Sequence, residues 1–274
     1  MTFDPGRYST FIFDLDGCVY FGDEPAPGAT TLLHHLRQQG KRICILSNNS
    51  THGPTGIRLR LAKMGIAVPE ETIFTASTLA ARHLFEHHGP QRVCVVGTDA
   101  LAAEFRRFGH TVVDLTSTEP CGFLIMGRDV NFTFKRLERC VELVLNGATF
   151  IATNADMFHP TSSGGRTPET GTLAKAVASI ANIHPTFTGK PEAYAFNAIL
   201  KSAGVGPKQC LMIGDNRETD IAGALSVGMD ACWIDLQQAG SDEPPGVYRF
   251  PSMETLCRAV TAIREDNENR VVAV

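Results

Sequence analysis

The chain has 274 residues, 43% of them hydrophobic, and a formal charge of −4, which is enough apolar material for one large domain or two modest ones. No basic run is interleaved with aromatics, so the composition argues against nucleic-acid binding, and no apolar stretch approaches the ~20 residues that cross a bilayer. The opening residues, MTFDPGRYST, lack the charged-then-apolar order of a signal peptide, so the cytoplasm is the expected location.

In chain order, short runs rich in β-branched and aromatic residues alternate with amphipathic stretches, which predicts an α/β fold with a mainly parallel sheet. Strands are expected at 10–14, 43–47, 93–96, 122–126, 148–152, 210–214 and 231–234. A helix over 28–39 gathers Leu32, Leu33 and Leu36 on one face, and one over 132–145 gathers Phe134, Leu137, Val141, Val144 and Leu145. Polar segments bearing Pro and Gly near 75–78 and 184–190 bracket a stretch with strands and helices of its own. That bracket has the pattern of an inserted domain. The closing residues, REDNENRVVAV, read as a helix end followed by a loose tail.

Cysteines 18, 44, 94, 121, 140, 210, 232 and 257 are far apart, without a C-x-x-C pair and with mostly apolar neighbours. They are expected as buried, reduced thiols rather than a zinc site or a disulfide frame. The adjacent pairs His34-His35 and His87-His88 point in different directions on presumed helices, which suits surface residues better than metal ligands.

Four stretches carry possible chemistry. In STFIFDLDGCVY an apolar strand ends at Asp14, with Asp16 just beyond and Gly17 permitting a sharp turn. Two carboxylates there suit a nucleophile beside a general acid, with a cation between them; capping of a turn is the bland alternative. RICILSNNS ends a second strand in Ser47, Asn48, Asn49 and Ser50, whose donors can cradle a phosphate or simply cap a helix. In FTGKPEAYAF, Lys190 precedes a helix opened by Pro191, an odd place for a cation unless an anion binds there, although a solvated lysine is the competing account. CLMIGDNRETDIAGA puts Asp215 at a strand tip, with Asn216 next and Asp220 near a helix start. These are hard oxygen ligands suited to Mg²⁺, or else helix-capping residues.

Taken in order, D-x-D-G, S-N-N, G-K-P and G-D-x-x-x-x-D, with TNAD and GDNRETDIAGALSVGM, the sequence resembles the haloacid dehalogenase-like hydrolase superfamily. Within it, the similarity is to the large-cap branch of nucleotide, nitrophenyl, phosphoglycolate and pyridoxal phosphatases, and it runs from about residue 9 to 260. The resemblance implies a doubly wound, Rossmann-like core at 1–76 and 186–274 and an inserted α/β cap at 77–185 that sets substrate specificity. It implies a Mg²⁺-dependent phosphatase that acts on a small phosphorylated metabolite through an aspartyl-phosphate. Asp14 would be the nucleophile and Asp16 the general acid and base, with Ser47, Asn48, Asn49 and Lys190 binding the phosphate. Mg²⁺ would take the side chains of Asp14 and Asp215 and the main-chain carbonyl of Asp16, with Asn216 and Asp220 outside them. A homodimer through the cap is a further expectation by analogy. Ser47 stands where many relatives have threonine, and Cys18 where threonine or valine is frequent; neither removes a catalytic group. In the cap loop TNADMFHPTSSGGRTPETG, Asn154, Asp156 and Arg166 either touch substrate or satisfy backbone groups at a domain seam. A non-catalytic phosphometabolite-binding regulator on the same fold is the alternative function.

Overall fold

The computed structural model describes residues 3–160, 164–237 and 243–271; Thr161, Ser162 and Ser163 of the cap loop lie outside the described residues. The chain begins with strand β1 (Thr10–Phe13), the hairpin β2 (Tyr20–Phe21) and β3 (Glu24–Pro25), helix α1 (Ala29–Gln38), β4 (Arg42–Ser47) and α2 (Pro54–Lys63). It continues through β5 (Ile73–Thr75), α3 (Ala76–His88), β6 (Arg92–Val96), α4 (Asp99–Arg107), β7 (Thr111–Val113) and β8 (Phe123–Met126). Next come α5 (Phe134–Leu145), β9 (Thr149–Ala152), the hairpin β10 (Phe158–Pro160) and β11 (Arg166–Pro168), α6 (Thr170–Ala181) and β12 (Thr186–Phe187). The chain closes with α7 (Ala193–Ala203), β13 (Cys210–Gly214), α8 (Ala222–Ser226), β14 (Asp230–Ile234), β15 (Val247–Phe250) and α9 (Met253–Val271).

The fold is α/β with two compact units, each built on its own parallel sheet. One unit comprises residues 1–47, 58–73 and 196–274, and the other 48–57 and 74–195. The core sheet has the order β15-β14-β13-β1-β4-β5, and β1 pairs in parallel with both β4 and β13. Chain direction across the sheet therefore reverses at β1, the switch point beside which open α/β sheets bind ligands at their carboxyl ends. All four residues of β1 are buried, as expected of a central parallel strand packed on both faces.

The inserted sheet has the order β12-β9-β8-β6-β7, again parallel. Three of the helices in this unit start at a threonine whose hydroxyl accepts a backbone N–H: Thr75 from Thr78, Thr98 from Leu101 and Thr133 from Arg136. Such caps contribute about 1 kcal/mol each. Cys94, Cys140, Val144, Phe150 and Ala174 pack in one of its cores, so the cysteines there serve as small hydrophobes.

The closing segment is helical as far as Val271, in line with the expected helix end, and residues 272–274, where the tail was expected, lie outside the described residues. Two expectations change. Pro191 was expected to open a helix, yet α7 starts at Ala193. The apolar stripe of α5 is wider than its buried side: Val141 and Val144 are buried, whereas Phe134 and Leu145 are 75% and 66% exposed and line, with Ile180, a groove of about 490 Å³. The structure also pairs His83 with His87, one turn apart on α3, at 4.2 Å between ring centroids, with Tyr194 edge-on to His83. The adjacent-histidine pattern hides that i, i+4 spacing.

Candidate active site

The acids of the first unit gather at the carboxyl end of the core sheet. Asp14 continues the β1 ladder, its N–H donating to the Ile213 carbonyl at 2.9 Å, and its side chain is buried. The chain then turns tightly: the Leu15 carbonyl accepts from the N–H groups of Cys18, Val19 and Tyr20, and Gly17 adopts a φ of 86°. Gly17 serves a second purpose. A Cβ there would lie 2.4 Å from Asp215 Oδ2, so the missing side chain is what admits that carboxylate. Gly214 does the same for Asp220, whose Oδ2 would meet an added Cβ at 2.2 Å.

As a result Asp14, Asp215 and Asp220 each present a carboxylate oxygen within 4.8 Å of the others. Asp220 is fully buried and accepts the Asn216 N–H at 3.1 Å, while Asn216 Oδ1 caps the next turn by accepting from the N–H groups of Glu218 and Thr219. Trp233 Nε1 fixes the Asp215 carbonyl at 3.0 Å. Three hard oxygen donors, two of them approached through glycines, fit a hard divalent cation. Beneath them the Cys18 thiol is pushed well up by burial first and then by the charges of Asp14, Asp215 and Asp220, so it stays protonated and inert.

Asp16 behaves differently. It is exposed, and its Oδ2 accepts the Tyr20 hydroxyl at 3.2 Å. Burial, then the Asp16 charge, hold the Tyr20 phenol far above its usual range, so near neutral pH it is a donor. Arg60 donates to the same hydroxyl at 3.2 Å and lies over the ring at 4.4 Å. Neither Tyr20 nor Arg60 was legible as a site residue: DGCVYFGDE places Tyr20 four positions from Asp16, but nothing local points to Arg60.

Ser47 is buried at the end of β4, the last residue of the first segment of the first unit. In the second unit, Asn49 Oδ1 accepts from the N–H groups of Thr51 and His52, at 2.9 and 2.8 Å, and so holds a turn. Asn48 and the buried Lys190 are bound to each other: Asn48 Oδ1 accepts the Lys190 N–H at 2.8 Å, and Asn48 Nδ2 donates to the Lys190 carbonyl at 2.9 Å. Asn154 Nδ2 donates to the Asn48 carbonyl at 2.8 Å, and Asp156 Oδ2 accepts from Asn48 Nδ2 at 3.0 Å. Of the cap-loop residues, Asn154 and Asp156 thus satisfy neighbouring groups, whereas the Arg166 guanidinium lies over the Phe158 ring at 4.2 Å.

No helix among the described residues is long and apolar enough to cross a membrane. The family described as haloacid dehalogenase-like hydrolase matches residues 11–111, and a second, HAD-hydrolase-like family matches 187–243. Mouse chronophin is 36% identical over 232 residues, covering 82% of this chain and 80% of its own. The 5′-nucleotidase YutF of Bacillus subtilis is 30% identical, with 83% of this chain and 87% of its own covered. The crystal structure of a 4-nitrophenylphosphatase from Thermotoga maritima superposes with a TM-score of 0.84 at 27% identity, covering 93% of this chain and 98% of its own. With the acids grouped at a sheet switch point and a second parallel α/β unit inserted in the core, the chain belongs to the haloacid dehalogenase-like hydrolases and is a phosphatase, a phosphoric monoester hydrolase.

Proposed function

We propose that this phosphatase hydrolyses small phosphomonoesters, such as nucleoside monophosphates or sugar phosphates, with Mg²⁺ and through an aspartyl-phosphate on Asp14. The observation that carries the reading is the carboxylate group of Asp14, Asp215 and Asp220 seated on Gly17 and Gly214 at the end of β1 and β13. Relatives described as a 5′-nucleotidase and a nitrophenylphosphatase support the substrate class.

The side chains of Asp14 and Asp215 and the main-chain carbonyl of Asp16 would hold Mg²⁺, with Asp220 beside them, and the ion when bound would offset the negative charge of carboxylate and phosphate. An Asp14 carboxylate oxygen attacks phosphorus while the bond to the leaving alcohol breaks, and Asp16 gives that alcohol its proton. Asp16, now ionised, takes a proton from a water that attacks the same phosphorus, the bond to Asp14 breaks, and inorganic phosphate leaves. The Ser47 hydroxyl, the N–H groups at Asn48 and Asn49, and the Lys190 ammonium bind the phosphoryl oxygens. The inserted segment, expected at 77–185, selects the leaving group.

The test is phosphate release from a panel of phosphomonoesters, with Mg²⁺ and with a chelator. Release that needs the metal and stops in Asp14→Asn supports the reading. Substrate binding without release by the native protein would refute it in favour of a non-catalytic phosphometabolite-binding regulator.

A further inference from the structure

The side chain of Asn48 has no hydrogen-bonding capacity to spare for a phosphate. Its Oδ1 accepts from the Lys190 N–H, and its Nδ2 donates to the Lys190 carbonyl and to Asp156 Oδ2, at 2.8, 2.9 and 3.0 Å. The amide can point only one way, because a flip would set its oxygen against a carbonyl and a carboxylate and its NH₂ against an N–H. Three neighbours then fix where the bracket stands. The Gly189 N–H donates to the Thr153 carbonyl at 2.8 Å, and a Cβ on Gly189 would lie 2.6 Å from Asn48 Oδ1, so only glycine lets the amide come this close. Asn154 Nδ2 donates to the Asn48 carbonyl, and Asn154 Oδ1 accepts the Asp156 N–H at 3.1 Å. Asn154 and Lys190 are both nearly inaccessible to solvent, at 1% and 3%.

We propose that Asn48 is the positioning residue for Lys190: its side-chain amide grips the lysine main chain at both polar groups, while Asn154 and Asp156 hold the amide in that orientation. Pinning the main chain at residues 189 and 190 fixes the root of the lysine side chain, so the ammonium reaches its anion without a search through backbone conformations. The inference rests on the reading that Lys190 serves the transferring phosphoryl group. It goes beyond that reading in giving the Asn48 side chain a task other than binding phosphate.

The experiment is a double-mutant cycle on kcat/KM for 4-nitrophenyl phosphate with Mg²⁺, using Asn48→Ala, Lys190→Ala and the double variant. Asn48→Ala is expected to lower kcat/KM by roughly 10–100-fold, and to lower it less than about threefold once Lys190 is already alanine. The inhibition constant of inorganic phosphate should rise in Asn48→Ala and Lys190→Ala alike. Equal losses from Asn48→Ala in both backgrounds, or none in the native background, would overturn the proposal. Full activity in Lys190→Ala would instead remove the role of Lys190, and the inference with it. If Asn48→Ala does not fold, Asp156→Ala takes its place in the cycle: Asp156→Asn, whose carbonyl can still accept from Nδ2, should recover activity relative to Asp156→Ala, and failure to recover it counts against the bracket.

Discussion

Gly17→Ala tests the geometry of the acid group most directly. The substitution adds one methyl group, and the structure says where it goes: 2.4 Å from Asp215 Oδ2 and 2.9 Å from its Cγ, at a φ of 86°. Real Cβ contacts essentially never fall below 3.0 Å, so the carboxylate or the turn must shift. The left-handed backbone alone destabilises an alanine by about 1–2 kcal/mol, a fall of a few degrees in Tm for a chain of this size. The larger effect is on the metal. A hard divalent ion holds its oxygens within a few tenths of an ångström of about 2.1 Å, so displacing one ligand by more than that should weaken binding by roughly 10–100-fold. The assay is activity against Mg²⁺ concentration, with Tm measured with and without the ion. The half-saturating Mg²⁺ concentration should rise, and the stabilisation the ion gives the native protein should shrink at fixed concentration. A variant whose Tm drops as expected but whose Mg²⁺ dependence and kcat match the native protein would refute the assignment of Asp215 to the metal.

Other outcomes follow from the same structure. Asp14→Asn should fold normally, by circular dichroism and Tm, and show no multiple turnover; sustained turnover would exclude Asp14 as nucleophile. Asp16→Asn should slow alkyl phosphates far more than nitrophenyl phosphate, whose leaving group needs little protonation, and equal losses on both would count against the acid role. The buried His110 accepts the Gln91 N–H on Nδ1 and donates from Nε2 to the Ala81 carbonyl, and burial lowers its pKa from 6.5, as it does for the part-buried His83. Both are neutral when folded, so their contribution is complete above pH 6.5 and is lost as pH falls through the lower folded values. Tm should therefore decline below pH 6.5, and a slope that survives in the doubly substituted His83→Gln, His110→Gln protein would contradict this. Burial pushes the Cys44 thiol up to about 11 and those of Cys94 and Cys140 to about 12. Their contribution is complete below the unfolded value of 9.0 and lost as pH rises through 11 to 12, so stability should fall across that alkaline window. At pH 8 an aromatic disulfide reagent should react quickly with the half-buried Cys121 alone, and fast reaction of several thiols in the native protein would refute the burial argument.

The sequence by itself determined the strands that form the middle of each sheet, because a strand buried on both faces must be apolar along its length, as TFIF, ICIL, FLIM and CLMI are. It also marked where acids and glycines stand together, since D-x-D-G and G-D are local patterns set by the turns they make. The short strands β5, β7 and β12, at two or three residues each, carry too few side chains to show a period. Tertiary structure decided the rest. Only the placing of β1 between β4 and β13 brings Asp14 to Asp215 and Asp220, two hundred positions away, and only folding gives Arg60 to Tyr20 and Asn48 to Lys190. A side-chain amide or hydroxyl bonds whichever backbone group the packing sets within 3 Å of it, and that partner leaves no spacing in the chain to be read.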